Sequence, residues 1–222
     1  VGGPERIGHV ASAVDASVET IDQAREIGAD LLVVHHGAFW GGLQPLVGRQ
    51  LARVGTLIRN GIALYAAHLP LDAHPEVGNC AILIRAIGLE PEGRFGEFEG
   101  VSLGFRAPAG DLPLSELADR VQDAVGGGPV RVIEGAGPGS GDVAVVTGGG
   151  GSFIPAAAEA GVRTLVTGEG SHHTFVDAHE LGVNVIYAGH YATETFGVRA
   201  LGDRLRETFG VEHSFIDVPS GL

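Results

Sequence analysis

Several residue types are scarce in this sequence, and each scarcity narrows what the protein can do. Only 14 Lys and Arg residues stand against 27 Asp and Glu, which gives a formal net charge of −13. Because a nucleic-acid backbone is bound through clustered positive charge, we expect no nucleic acid as the main partner. No apolar run approaches the roughly 20 residues that cross a bilayer, so we expect no membrane partner.

Cysteine occurs once, as Cys80, and methionine does not occur. A lone cysteine can form neither an internal disulfide nor a thiolate metal cluster. Cys80 lies in the helical pattern GNCAILIRAIG, where we expect it to be a small buried side chain. A reducing, cytoplasmic location fits this usage. The sequence opens on VGGPERIG without Met, and we expect a native segment ahead of it.

Apolar strand-like runs alternate with helical patterns, which predicts an α/β fold of two lobes with mostly parallel sheets. The first lobe is predicted over about 1–95, as three strand–helix units that start with HVASAVDA and SVETIDQAREIGA. The second lobe is predicted over about 96–222. Its strand-like runs at 95–108 and 129–135 flank a helix at 114–126, and three further strand–helix units follow.

A glycine-rich stretch at 135–152 resembles a linker in composition, but the strand-like run DVAVVTG lies inside it. We therefore predict a tight strand-to-helix turn at Gly148–Gly151. A phosphate-binding loop stays open as an alternative because a helix N-terminus follows. The stretch has no lysine and no GxxxxGK[ST] pattern, which weakens that alternative.

Four apolar strands end in histidine or in an acidic residue: DLLVVHH, IALYAAHLPLD, RTLVTGEGSHH and NVIYAGHYATE. Since the carboxyl ends of parallel strands share one edge, where ligands bind, we expect these side chains to converge between the lobes. The side chains concerned are His35, His36, His68, Asp72, Glu169, His172, His173, His190 and Glu194. No direct role is expected for the other histidines, His9, His74, His179 and His213.

Imidazole and carboxylate ligands without a thiolate favour Zn, Mn, Fe or Ni over Mg and Ca. The set exceeds what one tetrahedral ion needs. The additional ligands would be accounted for by a second ion about 3.5–4 Å from the first, with a carboxylate bridging the two, as in two-metal hydrolysis. The adjacent pair His35 and His36 would then give one imidazole to each ion.

These positions resemble a known family, the Nif-three-like dinuclear metal-centre proteins, also labelled GTP cyclohydrolase 1 type 2 homologs. The resemblance covers nearly the whole chain. It rests on LLVVHHGAFW, LYAAHLPLDAHPEVGN and LVTGEGSHHTFVDAHELGVNVIYAGHYATETFG, and on the glycine-rich turn before the last of these. The chain corresponds to the short form, a single domain over 1–222 without the inserted middle domain of longer members. Gly37 stands where many members have proline, and we expect it to leave the metal pair more accessible.

The resemblance implies two divalent metal ions per chain. It implies that Glu194 bridges them, with His36 and Asp72 on one ion and His35 and His190 on the other. Ligand chemistry leaves Zn, Mn, Fe and Ni open as the identity of the metal.

Four further residues correspond to the family's cavity. His68 matches a histidine that is a ligand in some members, and His68 or His173 is a candidate proton shuttle. Glu169 and His172 are expected to line the cavity. The resemblance also implies a homohexameric ring whose metal sites face an internal space.

The implied activity is metal-dependent hydrolysis of a nucleotide or related small molecule, with opening of the guanine ring of GTP and release of formate. Hydrolysis of phosphoesters by the same ions and a non-catalytic metal-binding scaffold or regulator remain as alternatives. A nucleoside triphosphate normally requires basic contacts, and Arg163 is the only Arg or Lys in the four site segments. Phosphate contacts are therefore expected from another subunit or from the glycine turn.

Overall fold

The computed structural model describes residues 1–221, which divide into two compact units. Unit 1 contains Val1–Leu71 and Gly197–Val218, and unit 2 contains Asp72–Phe196 and 219–221. The division differs from the boundary expected near residue 95 because residues 72–95 pack in unit 2, and the end of the chain returns to unit 1. Among residues 1–221, no helix is both long and apolar enough to cross a membrane.

Unit 1 is built on a four-stranded parallel sheet. Its strands are β1 (His9–Asp15), β2 (Leu31–His36), β3 (Ala63–Ala66) and β10 (Glu212–Phe215). They lie in the order β10-β1-β2-β3, and every pairing is parallel. The helices are α1 (Val18–Glu26), α2 (Gly48–Asn60) and most of α9 (Thr195–Phe209), and α3 (Leu69–Ala73) crosses the division.

Local sequence accounts for the elements that frame this sheet. The Ser17 side chain caps α1 by accepting a hydrogen bond from the Thr20 N–H at 3.0 Å. Helix α2 ends at Gly61, which takes the left-handed conformation that favours glycine. The run Leu31–Val34 has apolar side chains on both faces, as in a parallel strand covered on both sides.

Unit 2 contains a six-stranded mixed sheet. Its strands are β4 (Gly93–Phe98), β5 (Val101–Pro108), β6 (Arg131–Ile133), β7 (Asp142–Val146), β8 (Thr164–Thr167) and β9 (Asn184–Tyr187). The order is β4-β5-β7-β8-β9-β6. Its helices are α4 (Asn79–Ala86), α5 (Leu114–Ala124), α6 (Ile154–Glu159) after a 3-10 turn at Gly150–Phe153, α7 (Thr174–Leu181) and α8 (His190–Thr193).

The prediction of an α/β fold with two sheets is confirmed, and the parallel arrangement is complete only in unit 1. In unit 2, β7, β8 and β9 are parallel, whereas the β4–β5, β5–β7 and β6–β9 pairings are antiparallel. The run 95–108 forms most of a hairpin whose turn contains Gly100 at φ +80°. So short a connection can join only antiparallel strands.

Alternating side chains of β7 enter two separate hydrophobic cores. Val143 and Val145 pack in one core with Cys80, while Ala144 and Val146 pack in the other. Both faces of the sheet are therefore covered, which holds the strand ends rigidly. Cys80 is fully buried, as predicted.

Candidate metal-ligand sets

Three histidines of unit 1 come together where its parallel strands end. His35 and His36 close β2, and His68 follows β3 by two residues. The ring centroids of these residues lie 4.8, 4.9 and 5.3 Å apart, and one nitrogen of each ring lies within 4.8 Å of the others. Such a group can bind a metal ion.

Hydrogen bonds fix how two of these rings present their nitrogens. His35 Nδ1 bonds to the Ala67 carbonyl oxygen at 3.0 Å, and His36 Nδ1 bonds to Asp15 Oδ1 at 2.9 Å. A carbonyl oxygen and a carboxylate only accept, so Nδ1 carries the hydrogen in each ring and Nε2 carries the lone pair. Metal-binding histidines have this arrangement, in which an outer partner sets the tautomer.

A cavity of about 450 Å³ adjoins the histidines of unit 1, and its lining includes His35, His68 and Trp40. The Trp40 ring lies edge-on to His68 at 4.5 Å and is 62% exposed, so it forms a wall and does not pack in a core. A Cβ on Gly37 would lie 2.9 Å from the Ala66 Cβ. The close approach of β3 therefore accounts for glycine at this position.

The parallel strands of unit 2 also end side by side, and their connections are tied to one another. The N–H groups of Gly168 and Glu169, after β8, donate to the Gly148 carbonyl, after β7, at 2.9 and 3.0 Å. The Gly189 N–H, after β9, donates to the Gly168 carbonyl at 3.0 Å. This network positions Glu169 beside His190, which begins α8.

His190 lies between two carboxylates. Its Nδ1 donates to Glu169 Oε1 at 2.8 Å, and its Nε2 lies 3.2 Å from Glu194 Oε2, one helical turn along the chain. The hydrogen bond to Glu194 raises the pKa of His190 to about 9, and Glu169 adds to this effect against the opposing effect of burial. A cation bound at Nε2 must therefore displace a proton.

Two carboxylates of unit 2 are buried, with Asp72 5% exposed and Glu194 3% exposed. Asp72 Oδ1 accepts hydrogen bonds from Asn79 Nδ2 at 2.9 Å and from Thr147 Oγ1 at 3.0 Å. Burying a carboxylate is costly unless charge and hydrogen bonds compensate for it. Two such groups in one unit fit the binding of a cation.

The Cys80 thiol lies close to this region but is not a ligand. Its sulfur is 3.3 Å from Thr147 Oγ1. Burial raises the pKa of the Cys80 thiol to about 12, and the nearby Asp72 carboxylate adds to the shift. Because metals bind the thiolate, this cysteine is inert at neutral pH.

The glycine-rich turn after β7 makes room for the ligands. Gly148 has φ +64°, and a Cβ there would collide with the Glu194 carboxylate and lie 3.2 Å from His190 Nε2. The N–H groups of Gly148, Gly150 and Gly151 donate to Thr193, Thr167 and Glu169, respectively, at 2.9–3.1 Å. The tight turn is confirmed, and these three donors do not serve a phosphate.

Other residues singled out from the sequence lie outside these sets. His173 is 70% exposed in its side chain, with Nε2 4.0 Å from Asp177 Oδ2. His172 lines a different cavity of unit 2. The guanidinium of Arg163 donates to backbone carbonyls, including that of Gly139 at 3.0 Å, which gives this arginine a structural role.

Sequence reasoning missed one further chain of polar groups, in unit 1. His213 Nε2 lies 2.8 Å from Ser12 Oγ, and its Nδ1 lies 3.1 Å from Asp203 Oδ1. This order of groups resembles a Ser–His–Asp triad, but Ser12 is fully buried within β1. A buried hydroxyl cannot reach a substrate, so these contacts tie β1 to β10 and α9.

Comparisons with known proteins place the chain in a family. The sequence profile of Duf34/NIF3 (NGG1p interacting factor 3) matches residues 1–220. A Deinococcus radiodurans protein named GTP cyclohydrolase 1 type 2 homolog is 45% identical over 227 residues, covering 100% of this chain and 84% of the relative.

The chain belongs to the Duf34/NIF3 family.

Solved structures of similar proteins have the same fold. The crystal structure of TTHA1606 from Thermus thermophilus matches with a TM-score of 0.92 at 41% identity, covering 100% of this chain and 88% of that one. A structure described as protein ybgI, of unknown function, matches with a TM-score of 0.91 at 38% identity, covering 100% and 89%. The family membership thus extends over both units.

Proposed function

We propose that this Duf34/NIF3 protein is a metal-dependent hydrolase with two divalent ions per chain. The observation that carries the proposal is the orientation of three imidazoles. His35, His36 and His190 each donate from Nδ1 to an oxygen acceptor, which leaves Nε2 as the ligand atom. Buried carboxylates within unit 2 provide the negative charge that two cations require.

We assign the ligands as the resemblance implies. His36 and Asp72 would hold one ion, His35 and His190 would hold the other, and Glu194 would be shared. This pairing rests on the family resemblance alone, and the geometry within each unit supports only the orientation of the donor atoms. All five donors are imidazole or carboxylate groups, which fits Zn, Mn, Fe or Ni.

The bound ions would supply a hydroxide nucleophile at neutral pH and polarise the electrophilic carbon or phosphorus of the substrate. The chain's own residues hold the ligand rings in place and carry protons. His68 is the better candidate for the proton carrier, because its ring lies 4.9 and 5.3 Å from those of His35 and His36. His173 is directed to Asp177 in unit 2.

The proposed substrate is a nucleotide or a related small molecule. Relatives from several organisms, at 40–45% identity, are named GTP cyclohydrolase 1 type 2 homolog, which makes GTP the first compound to assay. The buried ligand sets favour attack by hydroxide on a polarised centre, so phosphomonoesters and phosphodiesters belong in the same screen.

The test has two independent readouts. Elemental analysis of protein purified without added metal should find two ions per chain, and loaded protein should release formate from GTP. Two bound ions without turnover of GTP or of any phosphoester would favour the alternative of a non-catalytic metal-binding scaffold. Absence of bound metal at physiological concentrations would overturn the proposal as a whole.

We further propose that the chain forms a homohexameric ring, as the resemblance implies. Light scattering coupled to size-exclusion chromatography measures the mass directly. A single species at six times the mass of the 22.8 kDa chain is expected. A monomer or dimer across micromolar concentrations would contradict this assembly.

A further inference from the structure

A second cavity lies in unit 2, and none of the candidate metal ligands lines it. Its volume is about 680 Å³, and its lining combines cationic, hydroxyl and aromatic side chains. The residues that matter for its chemistry are Arg131, Ser171, His172, Thr174, Phe175 and Tyr187. Such a mixture is typical of small-molecule sites that hold one polar and one flat apolar group.

Arg131 supplies a positive charge in this cavity. It opens β6, the edge strand that pairs only with β9, and it is exposed. Within residues 1–221 its guanidinium makes no hydrogen bond or ion pair, unlike Arg163, whose guanidinium is held by backbone carbonyls. In a chain of net charge −13, an uncommitted guanidinium in a cavity is suited to bidentate binding of an oxyanion.

Phe175 supplies an apolar aromatic surface in this cavity. It lies in the first turn of α7 and is 52% exposed. Leaving a phenyl ring half exposed costs solvation free energy that a stacked ligand would recover. Phe175 is held by an edge contact with His179, with ring centroids 4.6 Å apart. A heterocycle could stack on this ring whatever its hydrogen-bonding pattern.

The wall between these groups is rigid. The Thr174 hydroxyl donates to the Ser171 carbonyl at 2.6 Å and so accepts from the Tyr187 hydroxyl at 2.5 Å. A Cβ on Gly170 would collide with that Tyr187 hydroxyl. Glycine is therefore needed for the loop to pass this close to the phenol, and these contacts hold the loop against β9.

The cavity is linked to the candidate metal ligands through the chain itself. Glu169, which accepts the hydrogen bond from His190 Nδ1, immediately precedes Gly170 in the lining. A ligand held between Arg131 and Phe175 thus lies along the loop that orients His190. In the four strand-end segments the only Arg or Lys is Arg163, whose guanidinium donates to backbone carbonyls, so Arg131 is the better candidate to bind a phosphate.

We propose that this cavity binds a phosphorylated aromatic substrate, with its phosphate on Arg131 and its heterocycle on Phe175. The inference rests on the proposed function, because it assigns a substrate class to the same protein. His172 and Ser171 offer further donors to the phosphate. The sequence expectation placed phosphate contacts in another subunit or in the glycine turn, whereas this site lies in unit 2 itself.

Calorimetric titration with guanosine monophosphate, guanosine and inorganic phosphate tests this assignment. Arg131→Gln should weaken binding of the nucleotide at least tenfold and leave guanosine binding unchanged. Phe175→Ala should weaken both. Arg59→Gln removes one exposed positive charge from α2 in unit 1 and should change neither. Circular dichroism and metal content of each variant confirm that folding and metal loading are intact.

Equal affinity of Arg131→Gln and the unaltered protein for guanosine monophosphate would overturn the assignment, as would the absence of nucleotide binding. These outcomes differ from failure of the metal centre. Two ions per chain without nucleotide binding would reject the cavity alone. The unaltered protein could instead bind nucleotide but no metal, with nucleotide binding lost in Arg131→Gln. That result would support the cavity assignment and contradict the proposed hydrolase.

Discussion

The two units present their candidate ligands in different ways. Unit 1 delivers imidazoles directly from the ends of β2 and β3, and one hydrogen bond orients each of His35 and His36. Unit 2 delivers Asp72 from α3, and His190 and Glu194 from the two ends of the short helix α8, beside the glycine turn. Rings on rigid strands need little support, whereas buried carboxylates need cleared space and several partners. Unit 2 should therefore be the more sensitive to single substitutions.

The strongest test of this comparison is Glu194→Gln. The change keeps the size of the side chain but removes the charge that we propose is shared by two cations. We expect metal affinity to fall by about 1000-fold, or about 4 kcal/mol at 1.4 kcal/mol per tenfold. Chelator-treated protein should also lose stability at pH 7, because Glu194 is the main partner of the protonated His190 ring.

Metal titration by calorimetry, together with elemental analysis, measures the effect. Glu180→Gln, at an exposed position of α7, is the matched control and should bind metal normally. Two ions retained by Glu194→Gln would show that the buried carboxylate is not a shared ligand.

Gly148→Ala should have the next largest effect. Gly161 has a similar φ of +70° but open space where its Cβ would lie, so Gly161→Ala isolates backbone strain from collision. We expect the free energy of unfolding to fall by about 1 kcal/mol for Gly161→Ala and by about 3 kcal/mol for Gly148→Ala. Only Gly148→Ala should also weaken metal binding, because the new methyl group displaces Glu194.

Urea denaturation of the two alanine variants supplies the comparison, with metal titration as the second measurement. Equal destabilisation by the two substitutions would mean that Glu194 moves aside at no cost. The turn would then not be built around the carboxylate.

In chelator-treated protein, the pH dependence of stability should come from His190 of unit 2 and not from His36 of unit 1. The pKa of His190 is raised to about 9, so its proton stabilises the fold fully below the ordinary histidine pKa of about 6.5. That contribution should be lost as the pH rises through about 9. Allowing for partial exposure, we expect a loss of about 2 kcal/mol.

Urea denaturation between pH 6 and pH 10 measures this loss, and His190→Gln should remove most of it. His36→Gln in unit 1 is the comparison variant and should retain the slope. An unchanged slope in His190→Gln would assign the pH dependence to other groups.

The local sequence pattern was sufficient to predict several features of the structure. Strand β2 with its terminal pair of histidines, the turn at Gly148 and the burial of Cys80 follow from apolar runs and glycine spacing, which are properties of neighbouring residues. These features depend little on how distant segments of the chain pair with one another. The strand ends could therefore be identified as candidate ligand positions before the fold was known.

Long-range pairing could not be predicted in the same way. Asp15 became a partner of His36 through the register of β1 against β2. The sequence gives no local sign that β10 returns to β1, or that β5 pairs antiparallel with β7. Strand order and register are set by packing between distant segments, and hydrophobic periodicity carries no information about that packing.

The smallest expected effects concern the residues that orient the ligand rings, Asp15 in unit 1 and Glu169 in unit 2. Asp15→Asn keeps a hydrogen-bond acceptor but removes the charge behind His36, and should weaken metal binding about tenfold at pH 7. Glu169→Gln removes the same kind of charge behind His190. It also lowers the pKa of that ring, so that less free energy is spent on displacing the proton.

The two losses in Glu169→Gln therefore partly cancel, and we expect only about a threefold weakening at pH 7. Above pH 9 the ring of the unaltered protein is already deprotonated, so the weakening should rise to about tenfold and match that of Asp15→Asn. Metal titrations at pH 7 and pH 9.5 measure both, with Asp22→Asn on the surface of α1 as control. Equal weakening by both substitutions at pH 7 would mean that proton competition at His190 does not distinguish the units.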